Sequence, residues 1–333
     1  MGTERWGVCD VHGHYLPPAA MDLMGSGPIV VGDGVGGESI SVNGMPVGAT
    51  VHQLSAAEEM IVAMNRAGVD HRVLTPPPFT YRYWADPADG IRLCRLINDA
   101  VAEVVGAHPD RFSGLATVPL QDPAAAVVEL DRGLDELGLL GLGVGTNLGG
   151  KLLSDLAVRR VFARAEERNA AVLVHPDFVP SPRYGDYYLV NLIGMPVETG
   201  TTVANMMMSG MLEQLPALRV CFVHGGGIAP YLLGRWSRSW HVRVDTSRDS
   251  TRPPEDLLGS LYWDTLTHSV GALEFLIGQM GADHVVLGTD APFDVEDADP
   301  VGQLDAVPGL SGEERHRIRS LTPLKWLHGA DAT

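Results

Sequence analysis

Five residues suited to metal chemistry stand at or just beyond the ends of apolar runs. His12 and His14 close the first, in "GVCDVHGHY"; His175 closes "AVLVHPD", His224 closes "VCFVHGGG", and Asp290 follows the last, in "HVVLGTDAPF". In a β-strand, side chains two apart share a face, so His12 and His14 are expected to point one way, with Val11 and Gly13 turned from them. That spacing makes a chelating pair. Catalytic zinc and similar ions take imidazole nitrogens and carboxylate oxygens and keep one position open for water or substrate. His12, His14, His175 and Asp290 are therefore the expected ligands. His224 runs into Gly225 to Gly227, where the backbone can approach a ligand closely. It is either a fifth ligand or, the favoured role, an acid or base beside the ion.

Such residues meet only if the strands that end in them share one mouth. Eight aliphatic, β-branched runs alternate with helical patterns: Trp6 to Val11, His71 to Thr75, Phe112 to Val118, Gly141 to Gly145, Ala171 to Val174, Arg219 to Val223, Ser260 to Asp264 and His284 to Gly288. The intervening stretches include "SAAEEMIVAMNRAG", with Ser55 as expected N-cap and Gly68 as stop. The alternation predicts a single-domain (β/α)8 barrel over residues 1–333. A doubly wound sheet would not bring the ends of the first, fifth, sixth and eighth strands together. The Gly-rich segment 25–48 breaks the pattern, with a turn expected at Asn43 and Gly44. It is expected to be a small β-rich excursion after strand one and part of a lid.

Composition narrows the partners. With 24 Lys and Arg against 41 Asp and Glu, the 333-residue chain has a net charge of −17, which argues against nucleic acid or anionic membrane as a partner. Cys9, Cys94 and Cys221 are too few and too scattered for a disulfide framework, and Cys221 is read as core rather than as a soft ligand. No basic leader and no long apolar span is seen, so a cytoplasmic location is expected. Among the remaining histidines only His268, after the seventh run, is kept as a reserve site residue. Met206, Met207, Met208 and Met211 read as core packing.

Nine segments, among them "DVHGHYLPP", "HPDRFSGLATVPLQDP", "GMPVET", "LRVCFVHGGGIAPYLLGRW" and "VVLGTDAPF", resemble the metal-dependent amidohydrolase superfamily, in its aminocarboxymuconate semialdehyde decarboxylase-like branch. The resemblance spans Asp10 to Phe293. It implies a distorted (β/α)8 barrel with one divalent ion, commonly zinc and in some members manganese, on His12, His14, His175 and Asp290. It further implies non-oxidative decarboxylation without an organic cofactor, His224 and Asp290 being the candidate proton carriers. A hydroxylated aromatic or unsaturated, muconate-like acid suits this chemistry, because the charge left by departing CO2 must be delocalised.

One departure bears on the substrate. The namesake enzyme grips a substrate carboxylate with an arginine from its β-excursion, whereas here no Arg or Lys occurs between Arg5 and Arg66. A second arginine, which reaches in from the other subunit of a homodimer, is matched by Arg235 in "LLGRW". Arg82, in "TYRYW", is the expected replacement clamp. Trp84, Phe178 and Phe293, with Tyr81 and Tyr83, are expected to wall a ring-shaped monoacid. A hydrolase or hydratase in the same site is the alternative, acting on a lactone, ester, amide or double bond. A scaffold needs no converging imidazoles, and no dinucleotide-binding glycine pattern is present.

Overall fold

The computed structural model describes residues 6–24, 29–34, 37–42, 44–179 and 181–329. Among these, parallel strands form a ring: β1 (Cys9–His14), β2 (His71–Thr75), β3 (Phe112–Gly114 continued by Ala116–Thr117), β4 (Gly141–Gly145), β5 (Ala171–His175), β6 (Arg219–Phe222), β7 (Leu261–Asp264) and β8 (Val285–Val286). Each pairs in parallel with the next. The ring closes through a parallel bridge from Gly13 to Ala291, with Val11 N donating to the Leu287 carbonyl at 2.9 Å. This closure rules out the doubly wound sheet.

Helices follow the strands in turn: α1 (Ala57–Arg66), α2 (Pro87–Ala107), α3 (Pro123–Asp135), α4 (Leu156–Glu167), α5 (Met195–Met208), α6 (Ala229–Val242), α7 (Val270–Met280) and α8 (Thr322–His328). Asp86, Asp122, Asp155 and Ser269 cap the starts of α2, α3, α4 and α7 through their side chains. The expected cap at Ser55 is replaced. Ser55 ends a short helix, Val51–Ser55, with its hydroxyl donating to the Val51 carbonyl, and Thr50 caps that helix together with Gln53.

Three buried apolar clusters account for the layers. Cys9, Val11, Val73, Leu115, Leu173, Cys221, Tyr262 and Val286 fill the barrel interior, and Trp6, Leu324 and Trp326 plug its floor. Two larger clusters lie between strands and helices, one holding Met206, Met207 and Met211, while Met208, also expected in the core, is only half-buried. Leu142 and Val144 belong to the outer layer, which leaves the glycines of β4 facing inward.

Strand boundaries differ from expectation by a residue at several places and by more at the first and last strands. β1 runs on to His14 because Gly13 and His14 still pair with Leu74 and Thr75, so the histidines lie within the strand. β8 stops at Val286 because Leu287 turns its N–H to the Ile318 carbonyl. Alternation in β1 is also irregular. Asp10 pairs with Arg72 but Gly13 with Leu74, so three steps of β1 span two of β2. This bulge resets the parity: Val11 faces the interior, and His12 and His14 do so as well.

The excursion is a three-stranded antiparallel sheet, Ile29–Gly34, Gly37–Val42 and Met45–Thr50. Asn43 of the expected turn lies outside the described residues. The sheet is pinned to the segment after β8, where Asp294 N donates to the Gly48 carbonyl at 2.7 Å. The Asp294 carboxylate lies 1.8 Å from where a Cβ on residue 48 would stand, so a larger residue there would have to turn that side chain aside. No helix among the described residues is long and apolar enough to cross a membrane.

Candidate metal centre

Asp290 stands at the middle of four imidazoles. Its Oδ1 lies 2.8 Å from His14 Nε2, 3.1 Å from His12 Nε2 and 3.8 Å from His175 Nε2, and its Oδ2 lies 3.5 Å from His224 Nε2. β1, β5, β6 and β8 each deliver one part of this group, so the barrel mouth assembles what the sequence separates. The opposite ring nitrogens are committed elsewhere. His175 Nδ1 donates to the Pro176 carbonyl at 2.9 Å, His14 Nδ1 lies 3.3 Å from the Pro76 carbonyl, and His12 Nδ1 donates to Asp264 Oδ2 at 2.8 Å. That arrangement fixes the tautomers and turns every Nε2 inward.

The donor set fits a divalent cation. His12, His175, His224 and Asp290 offer ligand atoms all within 4.8 Å of one another. Nε2 of His12 and of His175 are buried without a hydrogen-bond partner, a costly state that a cation relieves. Nitrogen with carboxylate oxygen suits zinc or manganese. His14 stays against Asp290 while His224 joins the compact set, so the geometry admits His224 as a ligand as well as an acid or base.

Electrostatics agree with this. Burial pushes Asp290 up, but the charge of His12 and the close imidazole nitrogens of His12, His14 and His175 outweigh it and hold the carboxyl well below its usual range. Burial pushes His175 down to about 3, so its imidazole is neutral and able to coordinate. His12 goes the other way, because Asp290 and Asp264 overcome burial and raise it to about 10. The spot between those two carboxylates favours positive charge.

Two cavities adjoin the cluster. One of about 680 Å³ is lined by His224, Asp290, His268, Tyr231, Phe275 and Glu296, among others. A narrower one of about 30 Å³ is walled by His175, Phe79, Phe178, Tyr188 and Phe293, with Met45, Pro46 and Val47 of the excursion as its cover. Phe178 and Phe293 thus both line this narrower cavity, Phe293 with its ring 5.1 Å from that of His14. Neither cavity is lined by Arg or Lys among the described residues.

Three expectations need correction. Arg82 lines neither cavity: its Nη1 donates to the Met24 carbonyl at 2.5 Å and its guanidinium lies 4.7 Å over the Trp84 ring. Trp84 is 62% exposed and likewise stands apart from both cavities. Tyr81 and Tyr83 are buried against each other, the Tyr83 hydroxyl accepting from Gly145 N, and form no wall. Arg235 lies exposed on α6 and enters neither cavity of its own chain. Sequence reasoning missed Asp264, although it ends the β7 run in "YWDT" as Asp290 follows that of β8. It also missed Phe79 and Tyr188, which carry no pattern.

The chain matches the amidohydrolase family over residues 9–329 and belongs to that family. It is 39% identical over 252 residues to a 2-amino-3-carboxymuconate-6-semialdehyde decarboxylase of Dictyostelium discoideum, covering 75% of this chain and 68% of that protein. The fold is shared with 5-carboxyvanillate decarboxylase of Novosphingobium aromaticivorans, solved with manganese (TM-score 0.83, 22% identity, 98% and 97% of the two chains). It is shared too with 2,6-dihydroxybenzoate decarboxylase from Rhizobium (TM-score 0.79, 22% identity, 96% and 98%).

Two outcomes follow for the metal centre. Asp264→Asn removes the charged acceptor behind His12 and is expected to weaken metal affinity by about 10–100-fold, read by chelator competition. Because His12 holds a proton below about 10 and ligation needs the neutral ring, metal binding at pH 7 should release about one proton. Affinity should accordingly rise as pH is raised from 7 to 9. Titration calorimetry in buffers of different ionisation enthalpy counts the proton.

Proposed function

We propose that this protein is a metal-dependent, non-oxidative carboxy-lyase acting on a hydroxylated aromatic or unsaturated, muconate-like monocarboxylic acid. The observation that carries this reading is the imidazole ring around Asp290 opening onto aromatic-walled space. The decarboxylase relative at 39% identity supports it. His12, His14, His175 and Asp290 would hold the ion, zinc or manganese, which when bound supplies Lewis acidity toward a carboxylate and a neighbouring oxygen.

The chain's own groups do the rest. The larger cavity has room for a ring beside Asp290 and His224, and Phe178, Phe293 and Phe79 present apolar faces at the narrow end of that space. As the bond to the carboxylate breaks, its electron pair passes into the enol or phenol system, CO2 leaves, and the carbon takes a proton. His224 faces the larger cavity with 17% of its side chain exposed, while its Nε2 lies 3.5 Å from Asp290 Oδ2. A proton can be carried by His224 and Asp290 along that line and handed to carbon. The lack of any cationic lining among the described residues argues against a second substrate carboxylate unless another subunit supplies a partner. Arg235, exposed on α6 one turn beyond Tyr231 of the cavity mouth, is the residue to do so in a homodimer. The three buried thiols suit a reducing cytoplasm.

Release of labelled CO2 from hydroxybenzoates and muconate-like acids tests the reaction. Wild type should release it, and His224→Asn should lose about 10²–10⁴ in kcat with its metal retained. Clean lactone or ester hydrolysis with no CO2 would replace this reading with a hydrolase. Arg235→Ala should raise KM about tenfold or more, the loss of a charge-assisted contact, without changing metal content.

A further inference from the structure

Behind the chelating pair, on the side of β1 turned from the barrel interior, lies a buried polar clamp. The Asp10 carboxylate accepts four hydrogen bonds: Oδ1 from His12 N at 3.0 Å and Thr289 N at 3.1 Å, and Oδ2 from Arg72 Nε at 2.7 Å and Thr289 Oγ1 at 2.6 Å. Asp10, Arg72 and Thr289 are 0%, 4% and 1% exposed. The donors come from β1, β2 and the segment leaving β8, so one carboxylate fastens three consecutive staves of the barrel at its closing seam. Two of those donors adjoin the metal-centre residues. His12 N belongs to a ligand itself, and Thr289 immediately precedes Asp290, whose own N–H donates to the His12 carbonyl at 2.8 Å.

Arg72 also explains the middle residue of "HGH". A Cβ on residue 13 would stand 2.3 Å from Arg72 Cδ and 2.7 Å from Cγ, atoms in the middle of a stem whose Nε is already pinned to Asp10. Glycine is needed there so that the guanidinium can pass behind the strand.

We propose that Asp10, Arg72 and Thr289 are positioning residues that set the distance and angle between His12 and Asp290. They touch neither cavity, and act only through the two backbones they hold. The role separates from a charge effect by sign. Thr289→Val changes no charge, so any loss of metal affinity in it is geometric. Removing the Arg72 cation alone would strengthen cation binding by Coulomb's law, whereas loss of positioning weakens it.

The inference rests on metal binding by this site but not on the reaction. Thr289→Val and Arg72→Lys are compared with wild type and with Thr322→Val, a buried threonine on α8 whose hydroxyl donates to the Ala282 carbonyl away from the cluster. Metal affinity is read by chelator competition, and coordination geometry by the visible absorption of the cobalt(II) form. The expected result is affinity about tenfold weaker, with altered cobalt bands, in Thr289→Val and Arg72→Lys, the order of loss seen when groups behind metal ligands are removed. Thr322→Val should match wild type. Gly13→Ala should reproduce the defect by displacing the Arg72 stem. Should Arg72→Lys fail to fold, Thr289→Val decides. A folded Thr289→Val with wild-type affinity and spectrum overturns the positioning role, and so does equal weakening in Thr322→Val. A wild-type protein that takes up no zinc, manganese or cobalt instead overturns the metal centre on which this rests.

Discussion

Burial alone would force a proton onto Asp290, for the carboxylate sits inside the protein wall with its side chain 7% exposed. What keeps it ionised is the company of imidazole nitrogens that the barrel holds at 2.8 to 3.8 Å. The dependence runs both ways. The same carboxylate, with Asp264 behind, raises His12, and the cluster is stable only as a balanced set of charges. A closed parallel barrel satisfies this constraint because its strands all end at one rim. The backbone also meets a local cost. Asp290 and His224 both adopt left-handed conformations, φ 63° and 56°, of a kind that costs roughly 1–3 kcal/mol per residue and persists only where the surroundings over-determine it.

Much of this was legible in the chain. Each residue of the metal centre lies at the close of an apolar run, and strand-end position is a local property that hydrophobic patterning records. The eight-strand count is legible because the strands are buried on both faces and are therefore mostly apolar. Even the misplaced limits of β1 follow from local logic. A run of apolar residues ends at Val11, but pairing with β2 continues for as long as backbone groups find partners.

What patterning could not show is direction within the loops. Arg82 was placed near the site because it follows a strand, yet a positive φ of 43° and the Met24 carbonyl turn its guanidinium aside. Phe79, a few residues earlier, occupies the wall instead. The bulge between Asp10 and Gly13 was equally hidden. Beside it Asp10 accepts a hydrogen bond from Thr289 in the segment after β8, more than 270 positions away along the chain, a pairing no local pattern records. Regular alternation gave the right answer for His12 and His14 relative to each other and the wrong one for Val11.

The excursion leaves the barrel after β1 and contributes Met45, Pro46 and Val47 to the narrow cavity, but, among its described residues, no group to the metal centre. Its described hold on the segment after β8 is a backbone hydrogen bond and the close fit of Gly48 against Asp294. The metal centre and the cover of the narrow cavity are therefore written on different parts of the chain. The strands fix what bond is activated, while a small grafted sheet shapes the room in which that happens. Such a division lets one part drift without disturbing the other: a lineage can exchange side chains along residues 45–47 and reshape that cover while the described metal-centre residues stay as they are.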